Sequence, residues 1–271
     1  VKLAVSNIAW SSPLETDALA ALRALGVGAL ELAPTRPWPD WSGASVANAA
    51  LVREKYASAG FGIPSMQAIL FGKPQCKLFG TDSERLSLVE HLRLCADLAA
   101  ALGAQSLVFG APKNRDLNGL TPSEAFDCAR ETFVEVAGYY HSHGVCLCLE
   151  ANPAQYGCTF ITNSQDAGRL VRAVDSAGFR LHLDTACLLM AGEDIPAAIE
   201  ANHDILQHFH ASEPNLGAFH SPLANHAAAA RALRSVGYSN WVSLEMREAA
   251  EPVPALQEAV RFVASAYDLG S

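Results

Sequence analysis

The sequence predicts a (β/α)8 barrel on three observations. Short apolar runs alternate with amphipathic stretches along the whole chain, the order of a parallel sheet with crossover helices. Eight such alternations fit within 271 residues, close to the roughly 250 typical of this fold. Four later runs stop abruptly on an ionisable residue: Leu149-Glu150, Leu183-Asp184, Phe209-His210 and Leu244-Glu245. A barrel keeps its chemistry at that carboxyl end of its strands. A doubly wound sheet fits less well, because no glycine-rich dinucleotide turn follows the first strand.

Val1 to Ala9 alternates as a first strand, and Pro13 with Glu15 and Asp17 opens a helix to about Leu25. Gly26-Val27-Gly28 turns into a second strand ending at Leu32. Residues 33–43, rich in proline and tryptophan, are expected as a long loop that walls a substrate. A helix over 44–60 leads to a third strand over 62–69, with Phe71, Gly72, Lys73 and Pro74 in its exit loop. Leu88, Leu92, Cys95, Ala99 and Leu102 recur at helical spacing, so 83–102 is an amphipathic helix stopped by Gly103.

Strand four covers 105–109 and leads into a loop from Gly110 to Asp116. Thr121-Pro122-Ser123-Glu124 begins the next helix, with threonine as N-cap and glutamate three residues on. Strand five runs from Cys146 to Glu150, and Thr162 or Asn163 caps a helix to about Ala177. Strands six, seven and eight end at Asp184, at His210 and at Glu245 or Met246, and a last helix covers about 254–267. With no linker, repeat or low-complexity segment, one barrel domain over 1–271 is expected.

A net charge of −9 and a pI near 5.4 argue against an extended phosphate-binding surface. No apolar stretch is long enough to cross a bilayer, so neither nucleic acid nor membrane is expected as a partner. The seven cysteines are scattered without a paired framework and read as reduced thiols of a cytoplasmic protein. Self-association as a homo-oligomer is compatible with the sequence.

Side chains alternate faces along a strand, so Glu150 shares a face with Cys146 and Cys148, Asp184 with His182, His210 with His208, and Glu245 with Ser243. The opposite face carries Leu147, Leu149, Leu181, Leu183, Phe209, Val242 and Leu244 and reads as packing against helices. Neighbouring strands lie about 4.8 Å apart, so four ionisable groups on successive strands can converge. Three converging carboxylates repel one another unless a cation sits among them. Three oxygens and an imidazole best suit Mn2+, with Mg2+ or Co2+ as alternatives and Zn2+ as second choice.

At LEANP (149–153), LDTAC (183–187), HFHASEPN (208–215) and SLEM (243–246) the chain resembles the xylose-isomerase-like TIM barrels, above all the ketose 3-epimerases and sugar-phosphate isomerases or epimerases. The resemblance spans essentially the whole chain. It implies Glu150, Asp184, His210 and Glu245 as ligands of one divalent metal, with Glu150 and Glu245 doubling as acid and base. In that chemistry a cation chelated by a carbonyl and its neighbouring hydroxyl stabilises an enediolate. One glutamate removes the carbon-bound proton and the other returns one from the opposite side.

Cys187 stands where the epimerases have histidine, Leu216 where they have arginine, and Asn152 where xylose isomerase has lysine. A two-metal hydride shift is therefore not expected. Endonuclease IV shares the fold, but Gln67 and Cys187 occupy places of its zinc ligands. The expected substrate is a small sugar or sugar phosphate. An inosose-type dehydratase on the same site and a non-catalytic carbohydrate-binding barrel are the alternatives.

Glu31 and Gln67, ending strands two and three, are candidates for hydrogen bonds to substrate, with a structural role as the alternative. Lys113 and Arg115 in the loop after strand four could hold a phosphate or carboxylate or simply lie in solvent. Glu213 and Asn215 match positions of the family that orient ligands or reach a sugar hydroxyl. Cys187 is a further substrate-contact candidate. Trp10, Trp38, Trp41, Phe71, Tyr156 and Phe160 could wall the pocket, whereas His182 and His208 are expected one layer below the ligands.

Overall fold

A computed structural model of the chain describes residues 1–268. Eight parallel strands close on themselves in sequence order: β1 (Lys2–Ser6), β2 (Ala29–Leu32), β3 (Gly62–Met66), β4 (Ser106–Phe109), β5 (Cys146–Glu150), β6 (Phe179–Asp184), β7 (Leu206–Ser212) and β8 (Trp241–Glu245). β8 pairs back onto β1 with Val5 opposite Leu244, leaving no sheet edge. Helices α1 (Glu15–Ala24), α2 (Val46–Ser58), α3 (Asp82–Leu102), α4 (Pro122–Ser142), α5 (Ser164–Val174), α6 (Thr185–Met190), α7 (Ile195–Asn202), α8 (His226–Ser235) and α9 (Pro252–Tyr267) connect the strands. None of the described helices is long and apolar enough to cross a membrane.

The expected boundaries hold to within a few residues, with three informative differences. The third strand ends at Met66 rather than residue 69, because Ala68 adopts a left-handed φ of 53° that ends the extended run. The segment after β6 forms two helices: Gly192 takes a φ of 72° and Asp194 caps a second start by accepting from the Ala197 amide at 2.8 Å. The proline-rich loop contains a one-turn helix at Pro39–Trp41, and Trp10, Trp38, Trp41 and Phe160 all pack into the core instead of facing an opening.

The outward faces of the strands carry the apolar residues that the alternation predicts. Leu147, Leu149, Leu181, Phe209, Val242 and Leu244 are fully buried against the helices. On α4, Phe133 meets Phe109 edge-on at 5.3 Å and stacks on Phe179 at 4.6 Å, fixing that helix across β4 and β6. α4 begins with the capping box read from sequence, Thr121 with Glu124, and α3 begins with a second one that the sequence reading did not name, Thr81 with Glu84.

Candidate metal centre

The register of the last four strands assembles the site. Glu150 lies opposite His182 across β5 and β6, Asp184 opposite His210 across β6 and β7, and Ser212 opposite Glu245 across β7 and β8. The imidazole Nδ1 of His210 lies 3.3 Å from Glu245 Oε2 and 3.6 Å from Asp184 Oδ2. One ligand atom from each of Glu150, His182, Asp184 and His210 falls within 4.8 Å of all the others. Glu150, Asp184 and His210 therefore come together, with His182 joining from the layer below, and Glu245 approaches the group through its contact with His210.

Each carboxylate is held by its own fixture. Asp184 caps α6, accepting from the Cys187 amide at 2.7 Å through Oδ1, while Oδ2 accepts from the Ser212 hydroxyl at 2.6 Å. Glu150 accepts from Asn152 Nδ2 at 2.8 Å. Arg115 secures that contact from behind, donating to the Glu150 carbonyl and to Asn152 Oδ1, both at 2.7 Å. Gly110 on the neighbouring strand end leaves room for the carboxylate, since a Cβ there would lie 2.2 Å from Glu150 Oε2.

His210 is anchored from across the barrel. Its Nε2 donates to Glu31 Oε1 at 2.7 Å, and the Ser65 hydroxyl donates to Glu31 Oε2 at 2.9 Å. Glu31 thereby selects the tautomer in which Nδ1 is free to face Asp184 and Glu245. Beneath, His182 and His208 meet Nδ1 to Nδ1 at 3.1 Å, His208 Nε2 lies 3.4 Å from Glu31, and His182 Nε2 lies 3.7 Å from Glu150.

The electrostatics follow from burial and crowding. Burial raises the Glu150 carboxyl to about 8, with Asp184 and Glu245 adding repulsion. Glu245 is raised as well, chiefly by burial. Glu31 is held down to about 2, because the charges of His210 and His208 and the bonds from His210 and Ser65 together outweigh its burial. Burial alone would push the His210 imidazolium down, but Glu31, Glu245 and Asp184 together hold it well above the ordinary value.

These features fit a cation. His210 Nδ1 and His182 Nε2 are buried without a hydrogen-bond partner, and the carboxylates beside them repel. A buried cluster drawn from Glu150, Asp184, His182, His208 and His210 could coordinate a divalent ion.

The centre forms the floor of a cavity of about 850 Å³ at the carboxyl ends of the strands. Gln67, Lys113, Cys187 and Asn215 line it, as do the aromatic rings of Phe71 and Tyr156. Three expected substrate contacts do not. Glu31 is fully buried behind His210. Arg115 is turned inward as the strut beneath Glu150 because its loop closes into a one-turn helix over β5. Glu213 is buried, accepting from the Leu223 amide at 2.7 Å and paired with His226 at 2.8 Å, so it ties the loop after β7 to α8. Lys73, Ser212 and Arg247 line the cavity without having been singled out in the sequence. The positions of Lys73 and Arg247, each just beyond a strand end, were the available signal.

The model of the family described as xylose isomerase-like TIM barrel matches residues 19–266. Among solved structures, an L-ribulose 3-epimerase superposes with a TM-score of 0.82 at 17% identity, covering 99% of this chain and 95% of that one. D-psicose 3-epimerase from Clostridium cellulolyticum H10 gives 0.81 at 17% identity, covering 98% and 99%. The 3-keto-D-glucoside 4-epimerase from E. coli gives 0.80 at 15% identity, again covering 98% and 99%. At these identities the likeness establishes the fold. No curated protein matches the sequence.

Proposed function

Since the chain belongs to the xylose isomerase-like TIM barrel family, we propose that it is a divalent-metal-dependent isomerase or epimerase acting next to the carbonyl of a sugar or sugar derivative. One observation carries this reading. Glu150, Asp184, Glu245 and the unpartnered Nδ1 of His210 share the buried floor of a cavity large enough for a monosaccharide. The structural neighbours that are named as sugar epimerases agree with it.

In this reading Glu150, Asp184, His210 and Glu245 hold the ion, and Mn2+ is the best match to three oxygens and one nitrogen. His182, close to Glu150 and Asp184, would add a second nitrogen and favour Zn2+ instead. When bound, the ion supplies an electrophile that makes the proton beside a carbonyl easier to remove. Glu150 and Glu245 reach the reacting carbon from β5 and β8. One accepts its proton as the carbonyl gains electron density, and the other returns a proton to the opposite face, inverting the centre. Gln67, Asn215 and Tyr156 would orient hydroxyls, and Cys187 beside Glu150 would shape the floor.

The test is solvent deuterium incorporation into a panel of ketoses with the metal-loaded protein. Exchange at one carbon without loss of water is the expected result. An enone product would instead identify a dehydratase, and absence of exchange across the panel with stoichiometric metal bound would leave a binding barrel.

A further inference from the structure

The walls of the cavity have the opposite character to its floor. Glu150, Asp184 and Glu245 are the acidic residues that line it, all buried, whereas Lys73, Lys113 and Arg247 line it nearer to solvent. Among the described residues none of these three cations is within ion-pairing distance of a carboxylate, although the chain carries 28 acidic residues. Cations that merely offset the charge of the floor would pair with it. These do not.

The loops that carry the two lysines are also tied to each other. Asn114, next to Lys113, donates through Nδ2 to the Lys73 carbonyl at 2.8 Å and to the Cys76 carbonyl at 2.7 Å. The Leu78 amide returns a bond to the Asn114 carbonyl at 2.8 Å, so the loops after β3 and β4 are stitched into one wall. Lys73 Nζ lies 5.4 Å from the Trp41 ring centroid, and Trp41 is fixed by an indole bond to the Phe71 carbonyl at 2.8 Å. Arg247 lines the same cavity just beyond β8, its amide bonded to the Leu216 carbonyl at 3.0 Å.

We propose that the ligand of this cavity carries an anionic group, phosphate or carboxylate, held by Lys73 and Lys113 near the mouth while its reacting end meets the acidic floor. This rests on the functional reading only for which end reacts. Ammonium groups act as point charges that suit a phosphate without demanding one geometry. Arg247 lines the same cavity from beyond β8.

Calorimetric titration of inorganic phosphate into chelator-treated protein, at fixed ionic strength, tests the site without metal or turnover. Saturable binding is expected, weakened by roughly tenfold or more in Lys73→Ala/Lys113→Ala, with the thermal midpoint of the variant unchanged. No saturable binding, or binding equal in the variant, overturns the proposal. Displacement by a ketohexose 6-phosphate, a ketohexuronate and a neutral ketohexose then separates the sources. Preference for the first indicates phosphate, preference for the second carboxylate, and equal displacement by the neutral sugar counts against both. Phosphate binding without deuterium exchange on any ketose would sink the isomerase reading and leave this site standing. Exchange on neutral ketoses without phosphate binding would do the reverse.

Discussion

The two faces of the same strands differ in what their residues depend on. On the outer face, Leu149, Leu183, Phe209 and Leu244 each bury apolar surface against helices, a non-directional gain that asks only for size and shape. On the inner face, Glu150, Asp184, His210 and Glu245 are defined by one another, and by Glu31, Asn152 and Ser212 behind them. Any hydrophobic side chain of similar size would serve outside. Inside, removing one group leaves another buried and unpaired.

That difference is sharpest for the proposed acid and base. Glu150→Gln and Glu245→Gln should each reduce the rate of solvent exchange by roughly 10²- to 10⁴-fold. Their thermal midpoints in chelator should change little, because amide and carboxyl are similar in size and burial and crowding already disfavour the charged form of both carboxyls. Parallel rate and melting measurements check this, and a stability loss matching the rate loss would erase the distinction between the faces. Phe209→Ala, on the outer face, should do the opposite. A fully buried ring is lost, at a cost of about 3–5 kcal/mol in denaturant unfolding, while turnover per folded molecule is retained.

A smaller effect is expected one step behind the site. Glu31→Ala should lower metal affinity by roughly ten- to a hundredfold, read by competition with a chromogenic chelator. Glu31→Gln should recover part of it, since the amide oxygen can still accept from His210 Nε2. Equal losses in the two variants would show that Glu31 only fills space.

The smallest effect is a pH trend. Glu150 keeps in the folded protein, up to about 8, a proton that the unfolded chain releases near 4.5. His210, held well above 6.5, likewise binds a proton more tightly when folded. The folded state thus holds more protons between about 6.5 and 8, and stability without metal should fall as pH rises through that window. His182 and His208, lowered by burial, oppose this only below about 6.5. The thermal midpoint in chelator should drop across the window and flatten when a divalent ion displaces the proton.

How much of this could be read from the sequence follows the same division. The outer face and the four strand ends were legible because alternation and an abrupt polar stop are local patterns. Glu31 was legible as a strand-end acid, but its partner His210 lies far along the chain and only barrel closure brings them together. Arg115 and Lys113 look equivalent in sequence, yet the one-turn helix at Pro112–Arg115 sends one inward beneath Glu150 and leaves the other at the cavity wall. Lys73 was legible only as a residue of the loop leaving strand three, since its place in the cavity wall depends on Asn114 and Trp41 from other loops. Glu213 was read from its family position as orienting ligands or reaching a sugar hydroxyl, and no local signal announces its partner His226.

The bond from Glu31 to His210 joins the second strand to the seventh. A chain that has made only its early strands has the anchor without the imidazole, and an isolated later half has the imidazole without the anchor. Tight capture of an ion at this centre would then be withheld until the circle of strands is complete, so that binding would report a closed barrel.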